Sequence, residues 1–467
     1  MFIACNASTA AAASASDRGI ATGFADPYFM KGDGTARAKV YNSSVEAGGT
    51  FARIVIGWKR VATREPANPT NPADPRYDWD ALDAAVRGAA AHGLRVLFTV
   101  HAAPSWASRG TPSGPFIADP SAWRPDPSAL GDFATALASR YSGTFRPIGA
   151  ATALPRVSLI EPWNEPNLTA FLAPQWEDGR IASVDIYREL LNSVYAAYHA
   201  VQPDAKVIAG TTAPDGDPGV ARRLAPLVFL RELLCVRKAH FKAKPCPEKA
   251  RFDALSHHPI NPSNRRPAQP AAPDDAGIAE MKGIGRMLRA AERQHTVLPD
   301  NETRPLWATE FWWETSPPTT LYEAASLPRQ AANVSESLRL LWKAHVPVAL
   351  WFQVRDDTDV SGPPRTGWGT GILTANGDPK PAFQAFQMPF VADRVSRRTI
   401  TVWVRSPADG MLRIKAGKGG DAKVIATYRV SDGDVVSDRI AFRGAAEVRA
   451  RVAGTGSLSN RVPRKPN

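Results

Sequence analysis

The apolar positions of this chain follow two alternating patterns between about residue 19 and residue 390. Short, nearly continuous apolar runs, which are typical of buried parallel strands, are separated by segments in which apolar residues recur every three or four positions, as on one face of a helix. The strand-like runs, some given with the loop that follows, are 19–24, 50–58, 95–107, 157–167, 206–212, 252–260, 305–313 and 346–357. The helix-like segments are about 78–94, 127–141, 185–202, 222–236, 276–295 and 330–345.

Eight strand units in succession predict an α/β fold, a (β/α)8 TIM barrel. An open, doubly wound sheet is the main alternative. No G-x-G-x-x-G turn follows the first strand, and no phosphate-binding G-x-x-x-x-G-K-[ST] loop occurs in the chain. The closed barrel is therefore favoured, and a nucleotide cofactor is not expected.

The last 75 or so residues have a different pattern. Short β-prone stretches at 399–406, 410–417, 423–430 and 445–454 are separated by Gly and Asp turns, which predicts a small C-terminal β-sandwich. We therefore divide the chain into a leader (1–18), a catalytic barrel (19–392) and a β-rich domain (393–467). The final segment, 457–467, is expected to be loose. For the sandwich, covering a face of the barrel is favoured over sugar binding.

The first 18 residues are rich in Ala and Ser, and Ala13-Ser14-Ala15 resembles the small-residue site at which a signal peptide is cleaved. This predicts a secreted or cell-envelope protein. The alternative is a disordered leader on a cytoplasmic protein. No run of about 18 uncharged apolar residues occurs, so a membrane span is not expected.

The chain has a formal net charge of +12. A basic protein attracts anionic polymers, including acidic or cell-surface glycans. Because the basic residues are spread along the chain, a solvated basic surface without a specific partner is the favoured interpretation. No zinc-finger spacing, RNP motif or basic helix is present, so nucleic-acid binding has little support.

Two of the three cysteines, Cys235 and Cys246, lie eleven positions apart. In an exported protein they would form a disulfide that closes a short loop. Two separate reduced thiols are the alternative. Neither cysteine has the spaced Cys or His partners of a zinc site, and no metal or other cofactor is expected.

Acidic residues follow two of the predicted barrel strands directly. Glu165 lies in the segment Glu161-Pro-Trp-Asn-Glu-Pro-Asn after the fourth strand, and Glu310 ends the seventh strand in Trp-Ala-Thr-Glu-Phe. Barrel enzymes have their catalytic groups at these strand ends. Two carboxyl groups across a barrel mouth provide the acid and the nucleophile or base that glycoside hydrolysis needs.

The motif Trp163-Asn164-Glu165-Pro166, together with Glu310, resembles the signature of glycoside hydrolase clan A, which includes families 5 and 39. The resemblance covers about residues 19 to 390. It implies a retaining glycosidase that cleaves O-glycosidic bonds of a poly- or oligosaccharide, with Glu165 as acid/base and Glu310 as nucleophile. It also implies that Asn164 binds the sugar 2-hydroxyl group.

The resemblance gives further residues a role in substrate binding. Arg53, inside the second strand, would keep the nucleophile ionised, and His258, at the end of the sixth strand, would lie near the acid/base or the sugar. His101, which ends the third strand, either contacts the sugar or is a core histidine. The aromatic residues expected at the barrel mouth are Trp58, Trp106, Trp163, Trp312, Trp313 and Trp351, of which Trp106, Trp312 and Trp351 are the predicted substrate-binding tryptophans.

The sequence departs from the clan at Ile260. Related enzymes often have a tyrosine two residues after the histidine of the sixth strand, and its hydroxyl group reaches the nucleophile. Either Tyr28, Tyr322 or another group replaces it, or Glu310 is less well oriented. A barrel that binds glycan without cleaving it is therefore the alternative function. The sugar, the linkage, endo or exo action and the oligomeric state are not determined by the sequence.

Overall fold

Eight parallel strands close into a barrel in the order of the chain. The computed structural model describes residues 19–113, 119–219, 222–261, 264–315, 324–357, 367–417 and 421–466. The barrel strands are β1 (Ala21–Ala25), β2 (Phe51–Gly57), β3 (Arg95–His101), β4 (Leu159–Pro162), β5 (Lys206–Thr212), β6 (Ala254–His257), β7 (Leu306–Phe311) and β8 (Val348–Phe352). Each strand pairs with its neighbours in sequence, and β1 pairs with β8. The predicted TIM barrel is confirmed.

Helices surround the barrel. They are α1 (Gly34–Glu46), α2 (Trp58–Val61), α3 (Asp80–Ala91), α4 (Pro127–Arg140), α5 (Ser183–Val201), α6 (Pro226–Leu233), α7 (Met281–Arg293), α8 (Leu327–Lys343) and α9 (Pro381–Gln387). Helix α1 was not among the predicted helices. Its sequence is polar and has a weak apolar face, and the Asp33 side chain begins the helix by accepting a hydrogen bond from the amide of Ala36.

Short elements occupy several loops. Single-turn 3-10 helices lie at Pro27–Phe29, Ser105–Ala107, Pro120–Ala122 and Ile278–Glu280, and two-residue strands pair Trp176–Glu177 with Arg180–Ile181 and Ala250–Arg251 with Val297–Leu298. In the loop after α6, Cys235 and Cys246 are joined by a disulfide bond. Of the two alternatives that the sequence left open for these cysteines, the structure contains the bonded pair.

The barrel interior has an apolar lower layer and a polar upper layer. The lower layer contains Phe51, Leu97, Leu159, Ile208, Ala254, Trp307, Val348 and Leu350. Because side chains alternate across a strand, the residue two positions further along points inward as well. On four strands that residue is polar and buried, namely Arg53, Thr99, Glu161 and Ser256. The upper layer forms the floor of the barrel mouth.

The C-terminal residues form a sandwich of two antiparallel sheets. Its strands are β9 (Phe390–Ser396), β10 (Thr399–Arg405), β11 (Gly410–Ala416), β12 (Lys423–Val430), β13 (Val435–Ala441), β14 (Ala446–Val452) and β15 (Ser457–Val462). One sheet has the order β9–β10–β13 and the other β12–β11–β14–β15. The predicted C-terminal sandwich is confirmed. The expectation that 457–467 is loose is wrong for β15, which pairs with β14 along its whole length.

The sandwich packs against the outside of the barrel. Trp403, on β10, is 2% exposed, and its ring lies 6.1 Å from that of Trp342 on α8. The Arg339 side chain, also on α8, forms a salt bridge with Asp393 on β9. Trp403 and Val391 belong to the same buried apolar cluster as the barrel core. The two parts of the molecule therefore share apolar packing.

Candidate active site

A cavity of about 850 Å³ opens at the carboxyl ends of the barrel strands. This volume is within the usual range for a ligand site. The residues predicted as site residues that line it are Arg53, His101, Asn164, Glu165, Glu310 and Trp312. Most of the predicted substrate and catalytic residues are thus brought together at one place, as the strand-end positions of their side chains require.

The Arg53 guanidinium group connects three side chains beneath the cavity. Its Nε donates to Glu161 Oε2 at 2.7 Å, its Nη1 to Glu310 Oε2 at 3.0 Å and its Nη2 to Asn164 Oδ1 at 2.8 Å. The Arg53 side chain is only 1% exposed. A charge buried to this extent requires opposite charges and hydrogen-bond acceptors around it, and these three partners provide them.

Glu161 is a member of this network that the sequence analysis did not identify as a site residue. It is fully buried, and it accepts hydrogen bonds from Thr99 Oγ1 at 2.6 Å and Ser256 Oγ at 3.1 Å, in addition to Arg53. Strand alternation was the available signal, because Glu161 lies two residues after the inward-facing Leu159. Glu161 therefore anchors Arg53 below the cavity.

The Glu165 backbone has an unusual conformation that is stabilised from the neighbouring strand. Glu165 and Trp163 have positive φ angles of 42° and 88°, and such angles are unfavourable for residues with a side chain. The Glu165 amide donates to the carbonyl oxygen of Thr211 at 3.0 Å, and the Thr211 hydroxyl group donates to the Trp163 carbonyl oxygen at 3.1 Å. The strained turn directs the carboxyl group of Glu165 into the cavity.

The Glu165 carboxyl group is poised to hold a proton near neutral pH. Burial raises its pKa to about 7, although the positive charge of Arg53 acts in the opposite direction. Glu165 Oε1 lies 2.9 Å from Nδ1 of His258. Burial lowers the pKa of His258 to about 4, so that its ring is neutral at neutral pH. A neutral imidazole can donate to the ionised carboxylate or accept from the protonated acid.

Glu310 reaches the cavity through an irregularity of its strand. The pairing of β7 with β8 shifts register between Ala308 and Phe311, so that Thr309 and Glu310 together face one residue of the neighbouring strand, as in a β-bulge. Burial raises the pKa of Glu310, whereas the charge of Arg53 lowers it. Of Glu165 and Glu310, Glu310 is the one that forms a direct ion pair with the Arg53 guanidinium group.

Glu165, Glu310 and His258 are close neighbours. One donor atom from each lies within 4.8 Å of the others. A group of this kind was not expected from the sequence, and its donor atoms are of types that bind divalent metals. The Arg53 guanidinium group, 3.0 Å from Glu310, opposes a cation at this position.

The remaining histidines of the predicted strand ends have different environments. His101 lines the cavity, and burial lowers its pKa to about 4. His257 points away from the barrel interior, where its Nδ1 lies 2.8 Å from the Thr212 hydroxyl group and its Nε2 3.0 Å from the carbonyl oxygen of Ala276. His257 is therefore a packing residue that lies outside the cavity.

Two of the predicted substrate-binding tryptophans do not line the cavity. The Trp106 indole N–H donates to the Ala62 carbonyl oxygen at 2.9 Å, and its ring packs edge-on against another indole. Trp351 is 0% exposed, and its N–H donates to the Thr370 carbonyl oxygen at 2.9 Å. Because Leu350 points into the barrel, strand alternation directs Trp351 outward and places Phe352 at the cavity instead. Trp58, Trp163 and Trp313, also expected at the mouth, are fully buried.

The aromatic wall of the cavity is formed by residues around Trp312. Its ring lies 5.4 Å from that of Trp368, and both line the cavity together with Phe171 and Phe352. Trp368 was not identified from the sequence because it lies in the long segment after β8, outside any strand or helix. Indole and phenyl rings of this kind stack on the C–H faces of sugars.

Ile260, at the position where the sequence analysis found a departure from the resemblance to clan A, lines the cavity wall. Of the two proposed substitutes, Tyr322 lies outside the described residues. Tyr28 is not a cavity-lining residue, and its hydroxyl group hydrogen-bonds Asp357 rather than Glu310. Within the described structure, Arg53 is the group that orients Glu310.

In the part of the chain that the structure describes, no helix is long and apolar enough to cross a membrane. The leader, 1–18, lies outside the described residues.

Similar solved structures were found, all at low sequence identity. A family 39 glycoside hydrolase from the gut symbiont Bacteroides cellulosilyticus WH2 is 19% identical with a TM-score of 0.56, and the alignment covers 91% of this chain and 81% of that one. A GH5_18 protein from Streptomyces cattleya in complex with Manb1-4GlcNAc is 14% identical with a TM-score of 0.50, and the alignment covers 78% and 79%. No protein-family model and no curated protein matches. The likeness shows that the chain shares the fold of these proteins.

Proposed function

We propose that this protein is a retaining glycoside hydrolase that cleaves O-glycosidic bonds of a poly- or oligosaccharide, with Glu165 as acid/base and Glu310 as nucleophile. The observation that carries the proposal is a pair of partly buried carboxyl groups whose oxygens lie within 4.8 Å of each other at the barrel mouth, of which one is ion-paired to Arg53 and the other is not. The names of the similar solved structures, both glycoside hydrolases, agree with this class of reaction.

The short separation favours retention over inversion. An inverting enzyme holds its two carboxyl groups roughly 6.5–9.5 Å apart to admit a water molecule, whereas a retaining enzyme holds them about 5–5.5 Å apart. The distance of at most 4.8 Å between carboxylate oxygens of Glu165 and Glu310 agrees with the retaining arrangement.

The environments of the two groups assign their roles. Glu165, with a pKa of about 7, holds a proton that it can give to the leaving oxygen. Burial raises the pKa of Glu310, and the ion pair with Arg53 opposes this effect and favours the carboxylate that can attack the anomeric carbon. Asn164, whose Oδ1 accepts a hydrogen bond from Arg53, also lines the cavity and can offer its amide N–H group to a sugar hydroxyl group.

The reaction then has two steps. In the first, the Glu310 carboxylate forms an ester with the anomeric carbon while Glu165 protonates the departing glycosidic oxygen. In the second, the ionised Glu165 removes a proton from water, which attacks the same carbon and releases Glu310. The neutral ring of His258 can hydrogen-bond Glu165 in both protonation states.

For the substrate, we propose a glycan that has acidic groups. Lys31 and Arg60 are exposed and line the cavity, as does Lys59, whose ammonium group lies 2.6 Å from Asp119. Acidic side chains, including Asp119 and Asp215, line the cavity as well, but Lys31 and Arg60 form no ion pair with them in the described residues and can bind a carboxylate or sulfate substituent. Trp312 and Trp368 would stack on the sugar rings.

We also propose that the protein acts outside the cytoplasm, in the cell envelope or secreted. The Cys235–Cys246 disulfide bond supports this location, since such bonds persist in oxidising compartments. Fractionation of cells that express the full chain, with thiol alkylation of each fraction, tests it. A cytoplasmic protein with both thiols free would contradict the proposal.

Mechanism-based labelling tests the proposed reaction. The protein is incubated with a panel of activated 2-deoxy-2-fluoro glycosides, and adducts are mapped by peptide mass spectrometry in wild type, Glu310→Gln and Glu165→Gln. We expect an adduct on Glu310 that is lost in Glu310→Gln and persists in Glu165→Gln when the leaving group needs no protonation. Dialysis against EDTA is expected to leave the labelling unchanged.

Two results would overturn the proposal. An adduct on another carboxylate would mean that the nucleophile is misassigned. Glycan binding without any adduct or turnover across a broad panel would favour the non-catalytic glycan-binding barrel, which the replacement of the clan's tyrosine by Ile260 leaves as the alternative.

A further inference from the structure

One face of the sandwich is strongly basic. In the sheet β12–β11–β14–β15, alternate side chains such as Leu412, Ile414 and Val448 are buried in the sandwich core. The side chains between them point to solvent. The cationic residues on this outer surface, which we call the basic face, are Arg413, Lys415, Arg429, Arg449, Arg451 and Arg461. All are exposed except Arg449, which is partly exposed.

The strand register places these cations opposite one another. Arg413 pairs with Arg451 and Lys415 with Arg449 across β11 and β14. Like charges directly opposite each other destabilise a sheet. The acidic residue on this face is Glu447, which accepts a hydrogen bond from Arg449 at 2.8 Å, and in the described parts of the chain no other ion pair involves the basic face. An arrangement that is unfavourable for folding indicates a binding role.

The positive charge of the chain is concentrated in this domain. Residues 390–467 contain sixteen Lys and Arg against seven Asp and Glu, which gives +9 of the chain's formal net charge of +12. The expectation of a uniformly solvated basic surface does not describe this distribution. A concentrated positive surface attracts polyanions.

We propose that the basic face binds an anionic polysaccharide; the choice of a glycan rests on the proposed function. Arginine side chains form paired hydrogen bonds with carboxylate and sulfate groups. Hydroxyl groups lie beside them in the register, with Thr427 opposite Arg413 and Ser457 opposite Arg451. Such a mixture of guanidinium and hydroxyl groups suits a polymer that has both acidic substituents and free hydroxyl groups.

Other polyanionic surfaces fit this face less well. Single-stranded nucleic acid is bound through aromatic side chains on which bases stack, and the described residues of the basic face include no aromatic side chain. Insertion into an anionic membrane requires a broad apolar surface, and the exposed large apolar side chains of this sheet are Met411 and Val424. Nucleic acid and membrane are therefore competing outcomes of the test.

Binding at the basic face would raise the concentration of substrate at the barrel. A polymer held at one site of the chain has a high effective concentration at a second site that it can reach. This effect acts on polymers and not on small substrates, so the basic face is expected to affect KM for a polymer and leave small aryl glycosides unaffected.

The test measures the affinity of the full chain for polygalacturonate and for the same polymer after reduction of its carboxyl groups. The variant is Arg413→Gln/Lys415→Gln/Arg451→Gln, and the matched control is Lys282→Gln/Arg286→Gln/Arg293→Gln, three exposed cations of α7. We expect the first variant to bind polygalacturonate at least tenfold more weakly than wild type, and the control variant to bind it as tightly as wild type. The reduced polymer is expected to bind weakly to all three proteins. Binding is also expected to weaken with rising salt.

Stability separates binding from a structural role. Because the cations oppose each other across strands, their neutralisation is expected to leave Tm unchanged or to raise it. A lower Tm, unchanged polygalacturonate binding, or equal binding of the reduced polymer would overturn the proposal. So would tighter, face-dependent binding of oligonucleotides or of vesicles with anionic lipid. Polymer binding that persists in Glu310→Gln supports the basic face independently of catalysis.

Discussion

Arg53 connects the chemistry of the site at the scale of single residues, because one guanidinium group contacts two carboxylates and an amide. We predict that Arg53→Lys lowers kcat/KM by about 10²-fold or more, since a lysine cannot keep all three planar contacts. The measurement is kcat/KM on whichever glycoside labels the enzyme. Arg286→Lys, at an exposed position of α7, is the control, and equal activity of Arg53→Lys and wild type would contradict the role of Arg53.

The pH dependence of activity follows from the same site. The pKa of Glu165 is about 7, so the acid form that protonates the leaving group is lost as the pH rises through about 7, and kcat/KM is expected to fall there. Glu165→Gln is measured on an aryl glycoside whose leaving group needs no protonation. In this variant, kcat/KM should no longer fall as the pH rises through about 7. A fall that persists in this variant would belong to another group.

The raised pKa of Glu165 has a consequence for stability. The pKa of Glu165 is about 7 in the folded protein and has its ordinary value of 4.5 in the unfolded chain. As the pH rises from about 4.5 to 7, Glu165 loses its proton more readily in the unfolded chain, and the folded protein therefore loses stability. Glutamine cannot ionise, so Glu165→Gln should change the unfolding free energy more favourably above pH 7 than at pH 4.5. We predict a difference on the order of 2 kcal/mol between its effects at the two pH values. Chemical denaturation at both pH values measures this difference. The same gain at both pH values would show that ionisation is not its cause.

The site residues that could be predicted are those with a local signal. Glu165 and Glu310 directly follow apolar runs, and Arg53 interrupts one, so that strand-end geometry alone brings them together. Trp351 was misplaced because the direction of its side chain depends on the register of β8, which the residue pattern does not show. Trp368 follows the end of β8 at some distance along the sequence, and its position at the cavity depends on loop structure.

At the scale of elements, strands and helices were predictable where their pattern was strong. Helix α1 was missed because few of its residues are apolar, and the strand β15 because its sequence, SLSNRV, has one half-buried and one buried apolar residue. Both elements are determined by packing against neighbours. The bulge that directs Glu310 inward is likewise a property of strand pairing and has no sequence signal of its own.

The disulfide bond stabilises a loop between α6 and the sixth barrel strand. This loop is also tied to α7, because Gln294 accepts from the Ala243 amide at 2.7 Å and donates to the Phe241 carbonyl oxygen at 2.7 Å. We predict that Cys235→Ser/Cys246→Ser lowers the unfolding free energy by about 3 kcal/mol, the loop-closure value for about a dozen residues. Urea denaturation of this variant, compared with wild type in its oxidised form, measures the effect, and equal stability would show that the bond does not constrain the unfolded chain.

At the scale of the whole molecule, sequence composition showed the change from barrel to sandwich but not how the two pack. The β-prone stretches after residue 393 indicated a separate domain, whereas the contact between Trp403 and Trp342 depends on which sandwich face meets α8. A basic composition was also visible, but its concentration on one sheet face follows from strand alternation in a sandwich. These features require the three-dimensional arrangement of the strands.

Shared packing between barrel and sandwich leads to a prediction about cooperativity. The buried side chain of Trp403 belongs to the barrel's apolar cluster, so unfolding of the sandwich alone would expose part of that cluster to water. We therefore predict a single calorimetric transition for the full chain, with equal van't Hoff and calorimetric enthalpies. Trp403→Ala should cost about 3 kcal/mol and separate the transition into two, because a large cavity replaces the contact. Trp368→Ala, at an exposed position that lines the cavity, is the control that keeps one transition. Two transitions in the wild type would mean that sandwich and barrel unfold independently and that the contact between them contributes little.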